Sequence, residues 1–260
     1  MSAASLPVAI ERWICYYGLE APAERYTGAD LVVFGGRWHP PLVRRTDRGP
    51  HYLGYVSLGE VDGRGEWWPA VAGADFVVRE NARWGSWVVD VRHPAWQELL
   101  TDRIVPAVLE EGFDGIFCDT LDAALSLAAW NDAETFAALR RAVVGILGRI
   151  RSRWPGRVLA VNRGLSILDR TAPLIDALVV EGLYSVYDAD RGAYRRVGPE
   201  TRRLMREPLD RGRAARPGLP VLTLDYAPDG AHPLAREALA AARAEGFVPY
   251  VAGERLDRLV

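Results

Sequence analysis

Four carboxylates in this 260-residue chain stand where apolar runs of strand length stop: Glu60 after Tyr55-Val-Ser-Leu-Gly, Asp119 after Ile116-Phe-Cys, Glu181 after Leu178-Val-Val, and Asp225 after Val221-Leu-Thr-Leu. An apolar run that ends abruptly in acid reads as a buried parallel strand whose C-terminal end opens into a site. If these runs lie side by side and parallel, their carboxylates converge on one rim. Two carboxylates on a rim suit the splitting of an acetal between sugars, in which one acid protonates the leaving oxygen and the second attacks or activates water. Glu181 ends a wholly apolar run, and that desolvation favours the neutral, proton-carrying acid. Asp119, next to Thr120 and close to Asp122, is expected to stay ionised as the nucleophile. The competing reading is that a carboxylate after a strand caps the next helix or pairs with an arginine, and this chain is rich in arginine.

Aromatic side chains stand near the same ends. Tyr16-Tyr17, Tyr184 and Tyr226 lie at or just past apolar runs, and Trp67-Trp68 occupies a polar stretch. Flat rings at such places can stack on sugar faces. Core packing is the better account of Tyr16 and Trp87, whereas Trp67-Trp68 reads as a platform or lid. Tyr17, Trp67, Trp68, Tyr184 and Tyr226 are therefore candidate substrate contacts.

Other chemistries find little support. His39, His51, His93 and His232 are scattered and form no HxH or HExxH pair, so no metal site is expected. There is no G-x-S-x-G elbow, no GxGxxG turn and no P-loop, and no cofactor is expected. The cationic side chains are all arginine, which removes Schiff-base lysine chemistry and disfavours a phosphosugar lyase or isomerase. Cys15 and Cys118 lie inside apolar runs and read as buried free thiols.

The elements that must position the acids follow from pattern. Strands are predicted at 13–18, 31–36, 51–60, in the run closing at Asp119, and at 158–162, 177–181, 220–226 and 246–252. Pro94 opens a helix that Pro106 should kink or interrupt. Asn131-Asp-Ala-Glu134 caps a helix whose Phe136, Leu139, Val143, Ile146, Leu147 and Ile150 form one apolar stripe. A short helix follows Asn162, a polar arginine-rich stretch follows Glu181, and a last helix spans 233–245. Strand and helix in alternation imply an α/β fold with a parallel sheet. At this length the expectation is one (β/α)8 barrel over residues 1–260, with a long insertion after the third strand that holds a short extra strand at 88–91. A doubly wound open sheet would show a glycine-rich turn after the first strand, and Gly18-Leu-Glu-Ala-Pro is not one.

Composition bounds the partners. A formal net charge of −2 argues against a nucleic-acid surface. No apolar run approaches the ~20 residues of a membrane span. The first residues lack a charged and then apolar leader, so a cytoplasmic chain is expected, although an exported chain relieved of its leader would read the same.

Tyr55-Val-Ser-Leu-Gly-Glu60, Trp87-Val-Val-Asp-Val-Arg-His-Pro-Ala-Trp96, Gly112-Phe-Asp-Gly-Ile-Phe-Cys-Asp-Thr-Leu-Asp122, Val179-Val-Glu181 and Val221-Leu-Thr-Leu-Asp-Tyr226 together resemble glycoside hydrolase family 114, the endo-α-1,4-polygalactosaminidases. The resemblance implies a (β/α)8 barrel, Asp119 and Glu181 as the catalytic pair, and Glu60, Asp122 and Asp225 around the substrate. The implied substrate is an oligo- or polysaccharide of α-1,4-linked galactosamine or N-acetylgalactosamine. The chain departs from the family pattern twice. Gly35 stands where an aspartate usually ends the second strand, and Asn162-Arg163 replaces Asn-Gly. Both positions border the expected cleft, where Asn162 is a further candidate contact. Acids at the strand exits would attract a cationic amino-sugar chain. The departures also motivate an alternative, a non-catalytic barrel of the same family that binds glycans or serves a structural role.

Overall fold

Strands that are apolar on both faces need a layer on each side, and a closed barrel wrapped by helices supplies both. The computed structural model describes residues 9–44, 49–129 and 131–259. Eight parallel strands form one sheet in chain order: Trp13–Tyr16, Leu31–Phe34, His51–Ser57, Gly115–Asp119, Val158–Asn162, Ala177–Glu181, Val221–Tyr226 and Val248–Ala252. The first and eighth close the ring through side chains, with Trp13 Nε1 donating to the Val248 carbonyl at 3.0 Å and the Trp13 and Tyr250 rings 5.7 Å apart. Beyond the strand ends, Tyr17 N donates to the Leu256 carbonyl at 2.7 Å. Asp119 ends the fourth strand and Glu181 the sixth, as their apolar runs implied.

Register is set at the N-terminal ends of the strands by a second family of acids. Asp30, Asp114 and Asp176 each stand immediately before an even-numbered strand, and each accepts from a backbone N–H of the preceding strand or its approach. Asp30 Oδ2 takes Arg12 N at 2.9 Å, Asp114 Oδ2 takes Tyr52 N at 2.9 Å, and Asp176 Oδ2 takes Leu159 N at 2.9 Å. Gly115 lets the fourth and fifth strands close up, because a Cβ there would lie 2.0 Å from the Val158 carbonyl oxygen.

The outer layer is uneven. After the first strand there is only the short turn Ala23–Arg25, and among the described residues no helix joins the second strand to the third. Aromatic packing covers that flank instead: Phe34 lies 5.3 Å from Tyr26 and 5.7 Å from Tyr52, and His39 lies 4.7 Å from Phe113. The long insertion follows the third strand, as expected. It holds a three-stranded antiparallel sheet of Glu60–Asp62, Val77–Asn81 and Ser86–Val89. The third barrel strand therefore stops at Ser57, and Glu60 opens a strand of this second sheet.

Helix follows over residues 94–110. Pro106 does not break it. Leu100–Ile104 widens into a π-turn just ahead, which accommodates a proline that has no N–H and crowds the carbonyl four residues back. Ala133–Arg153 is capped by Asp132, whose Oδ1 accepts Thr135 N at 2.8 Å, and it buries Leu139, Val143, Ile146, Leu147 and Ile150. The arginine-rich stretch after the sixth strand is ordered as a hairpin, Ser185–Asp188 with Ala193–Arg196, and the helix Pro199–Ala215. That helix turns only Met205, Leu209 and Gly212 fully inward, too thin a stripe to read from sequence. Among the described residues no helix is long and apolar enough to cross a membrane.

Asp176 tests the register acids. Its side chain is fully buried and accepts Arg151 Nη2 at 2.5 Å as well as Leu159 N. Asp176→Ala strands a largely buried guanidinium and should lower unfolding free energy by about 3–5 kcal/mol. Asp176→Asn, which keeps the acceptor for Leu159 N, should lose less. Chemical denaturation of the three proteins checks the order.

Candidate active site

Side chains alternate across a strand, so the last inward residues of adjacent barrel strands meet at the mouth. Tyr55 and Ser57 of the third strand, Asp119 of the fourth, Asn162 of the fifth, Glu181 of the sixth and Tyr226 of the seventh line one cavity of about 440 Å³. Asn162 is their hinge. Its Nδ2 donates to Asp119 Oδ1 at 3.0 Å and to Glu181 Oε2 at 2.6 Å. Two bonds to one nitrogen hold those carboxylate oxygens closer than the sum of the bonds, about 5.6 Å. The Tyr226 hydroxyl donates to Glu181 Oε1 at 2.6 Å.

Burial, and then the neighbouring Glu181 charge, push the Asp119 carboxyl up to about 6, against hydrogen bonds from Thr120, Asn162 and Tyr55 that favour its ionised form. This corrects the expectation that polar neighbours alone would keep Asp119 readily ionised. Burial also holds the Tyr55 and Tyr226 hydroxyls protonated, with Asp119 beside the first and Glu181 beside the second, so both remain donors. Just past Asp119 the chain turns through Thr120 at φ 65°, a left-handed conformation that costs a non-glycine residue about 1–2 kcal/mol. Thr120 Oγ1 anchors it by donating to the Asp119 carbonyl at 2.7 Å and accepting Gly59 N at 2.8 Å.

The other candidates divide. Tyr17 and Glu60 line the same cavity. Tyr17 packs edge-on to Tyr55 with ring centroids 5.3 Å apart, and Glu60 is held by Asn81 at 2.9 Å and Ser86 at 2.6 Å. Asp225 does not reach the mouth. Tyr226 already points inward, so its neighbour must point out, and Asp225 is fully buried, accepting Tyr184 N at 2.6 Å and Ser185 N at 2.8 Å. Burial pushes that carboxyl up to about 6. Tyr184 is likewise buried in the wall and lines none of the cavities at the mouth. Trp67 and Trp68 line none either. Both pack against the core, and Trp68 stacks on Trp87 at 5.4 Å. The exposed ring at the cleft is Trp84, which sits in the turn between two strands of the insertion and has Arg83 over its face at 5.2 Å. A lone tryptophan in a Gly- and Arg-containing turn carries no periodic signal, which is why pattern missed it.

Two further cavities adjoin the mouth. One of about 220 Å³ lies beyond Glu181, between Trp84, Arg83, Arg163 and Tyr187. The next, about 630 Å³, lies between Asp122, the hairpin and the helix Pro199–Ala215, and shares Arg163, Gly182 and Val186 with the smaller one. Asp122 therefore faces this outer space, where its Oδ2 accepts Arg163 Nε at 3.0 Å. Arg163 Nη1 also donates to the Glu181 carbonyl at 3.2 Å, from a backbone at φ 55°. Gly35 lines the main cavity, and a Cβ there would come within 2.9 Å of the Trp38 carbonyl oxygen. Among the described residues no cluster of three or more His, Cys, Asp or Glu could hold a metal ion.

The model of glycoside-hydrolase family GH114 matches residues 11–260. The glycoside hydrolase domain of PelA from Pseudomonas aeruginosa superposes with a TM-score of 0.80 at 30% identity, over 96% of this chain and 98% of that one. Aspergillus fumigatus Ega3, in complex with galactosamine, superposes with a TM-score of 0.71 at 14% identity over 99% and 96%, a likeness of fold. An uncharacterized protein of Deinococcus radiodurans is 28% identical over 233 residues, 87% of this chain and 71% of its own.

The raised Asp119 has a thermodynamic consequence. A carboxyl whose folded value, about 6, exceeds its unfolded value stabilises the fold below pH ~4 and loses that contribution as pH rises through 6. Asp119→Asn removes the buried charge and leaves an acceptor for Asn162. At pH 7.5 the variant should be more stable than the parent by on the order of 1–3 kcal/mol, with the gap closing by pH 4. Thermal melts across that range check it; a gap that widens as pH falls would refute the sign.

Proposed function

The chain belongs to glycoside-hydrolase family GH114, and we propose that it hydrolyses an α-1,4-linked galactosamine or N-acetylgalactosamine polymer with Asp119 as nucleophile and Glu181 as acid/base. The observation that carries the reading is the single Asn162 nitrogen bonded to both carboxylates at an open barrel mouth. Facing oxygens within about 5.6 Å of each other support a close carboxylate pair, as retaining enzymes use with their carboxyl groups ~5–5.5 Å apart. The galactosamine held by Ega3, a barrel of the same fold, supports the sugar class. So does the acidity of the cavity, where among the described residues Glu60, Asp62, Asp119, Glu181 and Glu254 face a single arginine, Arg255.

In this mechanism Asp119 attacks the anomeric carbon from the face opposite the glycosidic oxygen. Glu181 gives that oxygen its proton, and the C–O bond breaks to release the leaving chain. The covalent glycosyl-aspartate is then opened by water, which loses a proton to Glu181 as the new C–O bond forms and Asp119 departs as carboxylate. Two inversions restore the α configuration. Asn162 fixes both acids, and Tyr226 orients Glu181 through its second oxygen. Trp84, exposed at the rim, offers a ring for a sugar face.

Asp119→Asn and Glu181→Gln, assayed on purified α-1,4-galactosamine oligomers, should each lose on the order of 10²–10⁴-fold in kcat. NMR of the first product should show the α anomer. Because attack needs Asp119 ionised, kcat/KM should rise with pH through about 6 on its acid limb. Full activity in either variant would end the role assignment, and a β-anomeric first product would end retention.

A further inference from the structure

Asp225 is fully buried and lines no part of the mouth, yet its bonds lead back to Glu181. The sixth and seventh barrel strands pair as far as Glu181 and Leu224 and no further. Past Glu181 the chain reverses through Gly182 at φ 65°, where a Cβ would lie 2.7 Å from Val186 Cγ1. The reversal brings two consecutive amides, Tyr184 N and Ser185 N, onto the single oxygen Asp225 Oδ1 at 2.6 and 2.8 Å. Successive N–H groups wrapped around one oxygen make a nest for negative charge, and bonds to a carboxylate are stronger than neutral ones. Ser185 answers from the other side, its buried Oγ accepting Tyr226 N at 3.1 Å. Side chains thus continue the tie between the two strands after the backbone ladder has stopped.

That tie closes a circuit. The backbone runs from Glu181 to Ser185, Ser185 Oγ holds the Tyr226 backbone, and the Tyr226 hydroxyl donates to Glu181 Oε1 at 2.6 Å. Glu181 Oε2 is held separately, by Asn162. Where Tyr226 meets Glu181 therefore depends on how firmly the turn at 182–185 is clamped to the seventh strand. Asp225 and Ser185 are the two side chains that clamp it.

We propose that Asp225 and Ser185 are positioning residues for proton transfer: they set the Tyr226 hydroxyl on Glu181, and so the direction in which Glu181 presents its proton to the leaving oxygen. Neither touches the sugar. This rests on the glycosidase reading and deepens it. The rival account is that Asp225 only holds the fold together, as Asp176 does at the strand entries. The two accounts differ in kinetics. A clamp on the acid matters for a leaving group that must be protonated and little for one that departs as a stable anion. A purely structural acid changes how much enzyme is folded, and every substrate then suffers alike.

The test measures kcat/KM on two substrates, an α-1,4-galactosamine oligomer and the same oligomer carrying a dinitrophenyl aglycone, whose phenolate leaves without a proton. The variants are Ser185→Ala, Asp225→Asn, Asp176→Asn as the structural control, and Glu181→Gln as the reference for a lost acid. Ser185→Ala and Asp225→Asn should each lose on the order of tenfold on the plain oligomer and about twofold or less on the aryl glycoside. Asp176→Asn should leave the ratio of the two substrates at the parent value. Ser185→Ala removes one neutral bond and should fold, so it decides the matter if Asp225→Asn does not. Equal losses on both substrates in Ser185→Ala, or no loss on either, would overturn this proposal alone. A parent that cleaves neither substrate, or a Glu181→Gln variant with no selectivity between them, would overturn the functional reading with it.

Discussion

Two carboxylates whose facing oxygens are held less than about 5.6 Å apart in a buried place repel, and the mouth of this barrel is arranged around that repulsion. A cation between Asp119 and Glu181 would ionise both and leave no proton to give. The neutral amide of Asn162 supports negative charge on either acid without neutralising the pair. The tyrosines follow the same logic. Tyr226 and Tyr55 are donors whose own ionisation burial forbids, so each steadies a carboxylate without competing for its charge. The strained turn at Thr120 belongs to the arrangement too, because it carries the chain sharply away past Asp119 and leaves the acid at an open edge.

Such a pair needs a frame that will not relax around it. The barrel supplies this with acids of the opposite location. Asp30, Asp114 and Asp176 sit at strand entries and accept backbone N–H groups across to the neighbouring strand, while Asp119 and Glu181 sit at strand exits and face the cavity. A one-residue slip would turn Asp119 or Glu181 outward, into the position Asp225 occupies. The entry acids oppose that slip at the end of the barrel remote from the mouth, and register is where the frame and the site are coupled.

The same geometry explains what could be read in advance. Strands buried on both faces announce themselves as apolar runs, so the eight barrel strands and the acids at Asp119 and Glu181 were visible. Asp225 had the same local signature as Asp119 and a different fate, because its strand runs one residue further, to Tyr226, and parity decides which side chain meets the cavity. The hairpin after Glu181 and the helix Pro199–Ala215 were illegible as elements because they bury one thin edge under an arginine-rich surface. Trp67-Trp68 misled for a related reason: adjacent tryptophans in a polar loop look like a platform until both are seen to pack on the core, with Trp68 stacked on Trp87 of the insertion sheet. Asn162 was visible as a polar residue ending an apolar run, but its bond to two acids from two other strands exists only once the barrel closes.

Net charge hid the most specific feature of the molecule. A chain of net charge −2 has no evident preference for cation or anion, yet the cavity at the barrel mouth is lined by Glu60, Asp62, Asp119, Glu181 and Glu254. Gly35 and Arg163, the two departures from the family pattern, both border the cleft. One withholds a carboxylate from a place where backbone crowding leaves no room for a side chain, and the other adds a guanidinium to a backbone conformation that resists one.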